Sequence, residues 1–219
     1  MPRSSATRSR KKTRSRPARP DDNKVRPKDV QAEATRQALL ASARRLFAAR
    51  GYAAVGMVEL AKHARVTTGA VYHHFGSKQQ IFRVAVEDIT REVAEKAAAA
   101  MARSDDPWGK LMAGIDAVLD ACLLPEVRMA YNEAPVVLGI EQWRALEEAQ
   151  SSGLLLGTLA SLVELGVVRR TPLELLVPMV KGAIVEAAMS ITRARNAAAA
   201  RRDAGILLDA MLGGLRVRA

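Results

Sequence analysis

A short run of side chains that can donate hydrogen bonds stands out about a third of the way along the chain. Its members are Thr67, Thr68, Tyr72, His73 and Lys78. Hydroxyl, imidazole and ammonium groups can bind phosphates, and hydroxyls can also reach the edges of bases. Groups of this kind suit the binding of a partner that carries phosphates rather than bond-making chemistry.

Other residue patterns offer little to an enzyme. The three histidines are His63, His73 and His74, and no Cys–His or Ser–His–Asp arrangement, phosphate loop or metal-ligand spacing accompanies them. Adjacent residues of a helix point about 100° apart, so His73 and His74 cannot easily chelate one ion. We expect no metal site, no cofactor and no enzymatic activity.

Positive charge is concentrated at the N-terminal end. The net charge is +8 over residues 1–31 (11 Lys/Arg, 3 Asp/Glu), +5 over residues 32–78 (7 and 2) and −2 over residues 79–219 (16 and 18), which sums to the total of +11. A polyanion is therefore expected to meet the N-terminal third. Charge alone does not separate DNA from RNA or an anionic membrane.

Composition favours packed helices. Hydrophobic residues make up 49% of the chain and aromatic residues only 4%, which disfavours an aromatic-rich β-sandwich. Cys122 is the only cysteine, and a lone thiol fits a reducing compartment and the role of a small buried hydrophobe.

The longest uncharged apolar-rich stretch, residues 151–163, has 13 residues, short of the roughly 18–20 that span a bilayer. The basic start lacks the apolar core of a signal peptide, so we expect a cytoplasmic protein.

The chain predicts an all-α fold in three parts. Residues 1–31 are too poor in hydrophobic residues to fold and are expected to form a disordered basic tail. Residues 32–93 should form a DNA-binding domain and residues 94–219 a larger helical domain. Apolar spacing and breaking residues predict helices at 33–50, 57–64, 67–75, 78–102, 108–122, 126–133, 140–165, 172–195 and 199–217. Pro178 should kink its helix or delay its start.

The second and third of these helices have the outline of a helix-turn-helix over residues 56–75. Two short helices separated by a few residues follow a longer one, so that the third helix can enter the major groove by its N-terminus. Thr67 is placed to cap that N-terminus. Gly51 is placed to end the first helix in a left-handed conformation.

An ordered string of residues then identifies a family. The string runs through Thr35-Arg36, Leu46-Phe47, Arg50-Gly51-Tyr52 and Leu60-Ala61, and it ends in residues 66–78, VTTGAVYHHFGSK. It resembles the N-terminal domain of the tetracycline-repressor family. More loosely, residues 131–143 resemble one C-terminal subfamily of these regulators.

The resemblance implies which residues read the DNA sequence. Thr67, Thr68 and Ala70 match the leading turn of the recognition helix, where hydroxyls can bind base edges or phosphates and the Ala70 methyl can pack on thymine. Gly69 removes a side chain where the helix and a backbone would crowd.

The resemblance also implies which residues hold the DNA backbone. Tyr72 and His73 match phosphate-contacting positions, and Lys78 matches a basic residue at the groove edge. The alternative for Tyr72 is to cover the helix pair.

Arg65 stands in the turn where the family usually has glycine. A left-handed Arg65 costs about 1 kcal/mol or more, and its side chain can instead reach the DNA backbone. Gly56 replaces the usual Ser or Thr cap of the second helix.

The N-terminal tail suggests a further contact with DNA. Eight positive charges precede the first acid, Asp21: Arg3, Arg8, Arg10, Lys11, Lys12, Arg14, Arg16 and Arg19. One hypothesis is an arm along the DNA that flanks the operator. The alternative is a solvated tail with weak nonspecific attraction.

The C-terminal domain is expected to bind an effector and to dimerise. Candidate pocket residues, chosen for amphipathic character and adaptability, are Trp108, Met112, Tyr131, Trp143 and Met179. Candidate residues for a dimer surface on the last two helices are Gly182, Ala183, Ala187, Ala188, Ser190, Leu207, Leu208, Met211 and Leu212. For both sets the alternative is packing within one subunit.

Together these features predict a ligand-responsive repressor that binds a palindromic operator as a homodimer. One recognition helix covers half a site, which is why a twofold dimer is expected. The alternative is a DNA-binding regulator or chromosome-associated protein without a small-molecule effector.

Overall fold

The computed structural model describes residues 27–217, except for the side chains of residues 27, 28, 151 and 152. Most of these residues lie in α1 (Pro27–Arg50), α2 (Met57–Ala64), α3 (Thr68–Phe75), α4 (Lys78–Met101), α5 (Pro107–Ala121), α6 (Pro125–Val137), α7 (Ile140–Glu164), α8 (Leu173–Arg193) and α9 (Ala197–Gly213). The only extended pairing in this part of the chain is a single bridge between Val168 and Arg216. The prediction of an all-α fold is confirmed.

Helix α1 begins earlier than the sequence predicted. It starts at Pro27 rather than residue 33, so residues 27–31, assigned to a disordered tail, are helical. Proline is favoured in a first helical turn because it lacks the N–H that would have no partner there, and the carboxylate of Asp29 in that turn complements the helix dipole. The rest of the tail, with the proposed DNA-binding arm, lies outside the described residues.

The end of α1 is set by Gly51. Its φ of +78° is in the left-handed region, and its N–H donates to the carbonyl of Phe47 at 2.8 Å. A Cβ at this position would also lie 2.9 Å from a carboxylate oxygen of Glu133. The predicted glycine cap is therefore confirmed, and a larger residue here would also have to displace the Glu133 carboxylate.

A compact aromatic cluster joins α1 to α4. The ring of Phe47 lies 5.3 Å from that of Phe82 and 5.8 Å from that of Tyr52, and the Tyr52 and Phe82 rings are 4.9 Å apart. The two pairs with Phe82 are edge-to-face, and such packing adds about 0.5–1.5 kcal/mol per pair beyond the area it buries. The cluster fixes α1 and the following loop on the first turns of α4.

The N-terminal helices and the remaining helices share one hydrophobic core that extends from α1 to α9. The predicted domain boundary at residues 93 and 94 falls inside α4 (Lys78–Met101), so one continuous helix links the two predicted domains.

Pro178 lies inside α8 and does not delay its start. Cys122 is fully buried, and burial raises its pKa to about 12, as expected for a small buried hydrophobe.

Arg44 joins three helices through three carboxylates. From α1 its guanidinium donates to Asp88 at 2.6 Å and Glu92 at 2.7 Å on α4, and to Glu126 at 2.9 Å on α6. The Arg44 side chain is 13% exposed, and its partners are 21–35% exposed. The hydrogen bond from Arg44 lowers the pKa of Glu92, so this carboxylate is ionised in the folded protein.

Two further hydrogen bonds attach α6 to the N-terminal helices. The backbone N–H of Tyr52 donates to Glu133 at 2.6 Å, and the side-chain amide of Gln79 donates to the carbonyl of Val137 at 2.8 Å. With the Arg44–Glu126 pair, these bonds hold α6 against the N-terminal helices at its start, near its middle and at its end.

Replacement of Arg44 by methionine should destabilise the protein by about 2 kcal/mol at pH 7. A fully buried pair would lose about 3–5 kcal/mol, and the partial exposure of the carboxylates reduces this value. The folded-state pKa of Glu92 is lowered, so its contribution is present above the unfolded pKa of about 4.3 and is lost as the pH falls through the folded value. Thermal unfolding of both proteins should therefore show a large difference in Tm at pH 7 and a small one near pH 3.

Arg91→Met is the matched control. Arg91 also binds Asp88, but its side chain is 48% exposed, and exposed ion pairs contribute little to stability. An equal loss of stability in the two variants would contradict the role given to Arg44.

Candidate DNA-binding surface and cavity

The turn between α2 and α3 closes on Arg65. This residue is left-handed, with φ 57° and ψ 41°. Its N–H donates to Lys62 at 3.2 Å, and the N–H of Val66 donates to Ala61 at 3.0 Å. These two bonds form the Schellman motif that usually places glycine at this position. Arginine is therefore strained by about 1–2 kcal/mol, and its side chain lies exposed beside the recognition helix.

Thr67 caps the recognition helix α3 as predicted. Its hydroxyl oxygen accepts a hydrogen bond from the backbone N–H of Ala70 at 3.1 Å, which leaves the hydroxyl hydrogen to donate elsewhere. The N–H groups of Thr68 and Gly69, as in any first helical turn, have no partner within the helix. The leading turn thus presents hydrogen-bond donors and the positive end of the helix dipole to an anion.

The two faces of α3 differ sharply in burial. Val71 is fully buried and Phe75 is 6% exposed, and both pack into the core. Gly69, Tyr72 and His73 follow the i, i+3, i+4 spacing of one helix face and are exposed, Tyr72 to 53%. We call Gly69, Tyr72 and His73 the outer face of α3. The structure therefore brings these three predicted DNA-binding residues together.

Gly69 has room for a side chain within the subunit. A Cβ there would have one neighbour within 4 Å, the hydroxyl oxygen of Thr67 at 3.8 Å. The sequence interpretation was that glycine avoids crowding at this point. Crowding within the subunit therefore does not explain the glycine.

Lys78 lies at the start of α4, next to the loop that follows α1. Its ammonium is 4.2 Å from the centre of the Tyr52 ring and 3.4 Å from the carbonyl oxygen of Ala53. Ser77 caps the helix by accepting from Gln80 at 3.1 Å. The sequence interpretation counted Tyr52 and Ser77 in the family string but gave neither a role, although a serine directly before a helix is a recognisable cap signal.

The adjacent histidines do not belong to a metal centre in the described structure. The rings of His73 and His74 are 5.5 Å apart at 71° to each other. Within residues 27–217 no group of three or more His, Cys, Asp or Glu side chains could hold a metal ion. His73 is exposed and His74 is half-buried, so His73 is the one available to a partner on the outer face of α3.

A cavity of about 120 Å³ lies among α4, α5, α6, α7 and α8. Most of its wall is apolar, and its buried polar corner contains Tyr131 and Glu147. The Tyr131 hydroxyl donates a hydrogen bond to Glu147. Burial raises the pKa of Glu147 and the pKa of Tyr131.

Of the five predicted pocket residues, Tyr131 lines this cavity. Trp143 is buried behind it, with its ring 5.0 Å from the Tyr131 ring. Trp108 packs under the guanidinium of Arg216 at 5.2 Å, and Met112 is half-buried against the core. Met179 is 74% exposed on α8. The structure does not gather these five side chains around one cavity.

Glu147 was missing from the sequence interpretation, although a signal was present. Trp143, Glu147, Gln150 and Leu154 are spaced three or four residues apart along one face of α7, which is the pattern of an inward stripe. An acidic residue in such a stripe is a functional candidate, because buried carboxylates are rare.

The N-terminal helices form a helix-turn-helix, followed by a larger helical domain with a cavity. Two family models match the corresponding parts of the chain. The model described as bacterial regulatory proteins, tetR family, matches residues 39–85. The model described as tetracyclin repressor-like, C-terminal domain, matches residues 108–215.

Known proteins agree with these matches. A crystal structure of a TetR-family transcriptional regulator from Pectobacterium atrosepticum is 30% identical, with a TM-score of 0.76 over 86% of this chain and 97% of that one. The regulator BetI of Agrobacterium fabrum is 35% identical over 36% of this chain and 38% of its own length. The transposon Tn10 TetC protein of Escherichia coli is 49% identical over 22% of this chain and 25% of its own length.

The chain therefore belongs to the TetR family of bacterial regulatory proteins, as the sequence resemblance predicted. It is a transcriptional regulator and not an enzyme. The chain matches only a quarter to two-fifths of the length of these two curated relatives, so the family is shown by the two models and by the nearly full-length structural match.

Replacement of Gly69 by alanine should leave the fold intact and weaken DNA binding. Alanine in a helix is about 0.5–1 kcal/mol more stable than glycine, and a Cβ at position 69 has room within the subunit. A methyl group on the outer face of α3 would hold the duplex away, so operator affinity should fall about tenfold or more, which corresponds to about 1.4 kcal/mol. Thermal unfolding and fluorescence anisotropy on operator DNA measure the two effects.

Gly157→Ala provides the control, since Gly157 is an exposed helical glycine in α7 that also has open space around it. It should keep wild-type affinity. Unchanged operator affinity in Gly69→Ala would show that no partner approaches this position closely.

Proposed function

We propose that the protein is a ligand-responsive transcriptional repressor that binds a palindromic operator as a homodimer in the cytoplasm. The observation that carries the proposal is the exposed leading turn of α3. Its free N–H groups, the capping hydroxyl of Thr67 and the outer face of α3 lie on one short helix, and that helix is held from behind by Val71 and Phe75.

The contacts divide into two kinds. Thr67, Thr68 and Ala70 stand at the entering end of α3, where side chains reach base edges in the major groove. Tyr72, His73, Lys78 and the exposed Arg65 surround it with groups suited to phosphates. Phosphate contacts supply affinity and register, whereas base contacts choose the sequence.

The last two helices support a dimer. Leu175 and Met179 on α8 are 59% and 74% exposed, and Leu207 and Met211 on α9 are both 62% exposed. Leu207 and Met211 were predicted as dimer residues, whereas Ala188, Leu208 and Leu212 from the same prediction are buried within the subunit. Leu175, which was not predicted, and Met179, which was predicted as a pocket residue, lie on α8 and are exposed as well. We define the exposed apolar surface as Leu175, Met179, Leu207 and Met211.

Helix α8 shows why this surface needs a partner. By length and composition it is the one described helix apolar enough to span a membrane, yet only 28% of its most apolar window is buried within the subunit. It also carries Glu174, Lys181, Glu186 and Arg193. A helix that is apolar on most sides is normally buried on most sides. A second copy of the chain would cover the side that the subunit leaves exposed.

The cavity favours a regulator with an effector over one without. It lies between the dimerisation helix α8 and helix α6, and α6 holds the N-terminal helices through Glu126, Glu133 and Val137. A ligand that binds better to one position of α6 than to another would shift the spacing of the two recognition helices. DNA would be released when that spacing no longer matches successive half-sites.

Selection of bound fragments from genomic DNA should return a palindrome. Its half-sites should be centred about 34 Å, or one helical turn, apart.

Tyr72→Ala combined with Lys78→Ala should weaken binding to all sequences and reduce the slope of log K against log salt by about one unit for each phosphate that the variant no longer binds. Lys110→Ala on α5, an exposed lysine away from α3, should change neither quantity.

A purified dimer that bound random duplex as tightly as any palindrome would refute the repressor proposal. Operator binding unaffected by the double variant would refute the assignment of the DNA-facing side.

Met179→Asp should convert the dimer into a monomer. The substitution would bury a carboxylate in the interface. None of the four residues of the exposed apolar surface carries a positive charge that could neutralise it. Sedimentation velocity of wild type and variant measures the change in mass. Val136→Asp is the control, since Val136 is 83% exposed on α6 and lies outside the proposed interface. A dimeric Met179→Asp variant would place the interface elsewhere.

A further inference from the structure

We infer that residues 8–16, which we call the basic arm, bind the phosphates of the DNA that flanks the operator. This inference rests on the proposed function, which places α3 on an operator. It is drawn from the spacing of the cations in the basic arm, from the exposure of the start of α1 and from the position of that start beside α3.

Positive side chains recur at every second residue of the basic arm. They are Arg8, Arg10, Lys12, Arg14 and Arg16. Lys11 adds a further charge, and no acidic residue precedes Asp21. Side chains two residues apart point to the same side of an extended chain, whereas they point about 200° apart around a helix. In an extended chain this spacing places one cation about every 6.6 Å along one side, which suits a row of phosphates.

The start of α1 adds no buried side chain to the subunit. Every described side chain among residues 29–38 is exposed or half-buried, and Leu39 is the first buried residue of the helix. The hydrogen bonds of this stretch are local: the Thr35 hydroxyl donates to the carbonyl of Gln31 at 2.9 Å, and the Gln37 amide donates to Glu33 at 2.6 Å. The core therefore does not account for the first turns of α1. These turns do determine where the preceding segment leaves the subunit.

This point of departure is close to the recognition helix. The guanidinium of Arg36 lies 5.4 Å from the centre of the Phe75 ring, in the last turn of α3. Helix α1 begins at Pro27, nine residues before Arg36 and so about 14 Å away along the helix axis. Residues 17–26 connect the basic arm to α1, and a fully extended chain spans about 3.3–3.6 Å per residue. The basic arm can therefore reach DNA about one helical turn, roughly 34 Å, from the start of α1.

Attachment to α1 makes weak phosphate contacts effective. A segment tethered beside a bound duplex meets it at an effective concentration of about millimolar. Duplex DNA offers one negative charge per about 1.7 Å of its axis, and each cation that neutralises a phosphate releases a counterion. The basic arm should therefore raise operator affinity without choosing a base sequence.

Replacement of Arg10, Lys12 and Arg14 by glutamine in the full-length protein tests the inference. Fluorescence anisotropy measures affinity for the operator alone and for the operator with about one and a half helical turns, roughly 15 base pairs, of arbitrary sequence on each side. The variant should bind the flanked operator about tenfold or more weakly than wild type and the bare operator nearly as well. On the flanked operator its slope of log K against log salt should be smaller by about two units or more, at least one for each subunit of a dimer.

A second triple variant, with Arg103, Lys110 and Arg170 replaced by glutamine, is the matched control. It removes the same charge from three exposed side chains of the larger helical domain. Arg103 follows the end of α4 (Lys78–Met101), a helix about 36 Å long, and so lies far from Lys78. The control should keep the wild-type affinities and salt slopes on both duplexes.

Wild-type affinity of the arm variant for the flanked operator would overturn the inference, even if the arm bound RNA or anionic vesicles. Equal losses on the two duplexes would also overturn it, because the contacts would then lie within the operator. An equal effect of the two triple variants would show that net charge, and not the basic arm, is responsible. In each case a wild-type preference for the palindrome over random duplex would leave the repressor proposal standing, whereas loss of that preference would refute the proposed function itself.

Discussion

The guanidinium of Arg44 holds together carboxylates that would otherwise repel each other. Asp88, Glu92 and Glu126 converge on it from α4 and α6, and the group presents five N–H donors in a rigid plane. A lysine, with one small charged group and three donors, could not satisfy three carboxylates on two helices. This one planar group therefore ties α1, and with it the helix-turn-helix packed on α1, to both α4 and α6.

Under the proposed function, helix α6 is one element that can couple the cavity to the DNA-binding helices, beside α4, which also lines the cavity and begins at Lys78. Tyr131 lines the cavity, while Glu126, five residues before it, and Glu133, two residues after it, bind Arg44 and the backbone of Tyr52. A helix transmits a displacement along its length because its hydrogen bonds make it stiff, so movement of Tyr131 must displace both carboxylates or break their bonds. Under the proposed function, the differential contacts that couple the two sites are these bonds.

Local sequence signals predicted most of the helix boundaries. Contacts between residues that are far apart in the sequence could not be predicted. Gly51 and Thr67 act at the ends of their own helices, so their residue types alone reveal the cap. The partners of Arg44 lie 44 to 82 residues away, and no spacing rule connects them. Likewise, Leu207 and Leu208 are equivalent in an apolar pattern, yet one is exposed and the other buried. Periodicity identifies an apolar stripe but does not tell whether it packs within the subunit or against a second copy.

At two positions near the outer face of α3, the chain carries a residue that the local backbone conformation disfavours. At position 65 glycine would relieve a left-handed backbone, and the chain has arginine at a cost of about 1–2 kcal/mol. At position 69 alanine would stabilise the helix and has room for its methyl group, and the chain has glycine at a cost of about 0.5–1 kcal/mol. The isolated subunit gains nothing from either choice. Both are explained if a polyanion packs against α3, because one adds a cation at its edge and the other lets its backbone approach closely. Such local conflicts are expected at functional sites, and here they mark the same surface as the free N–H groups of the leading turn.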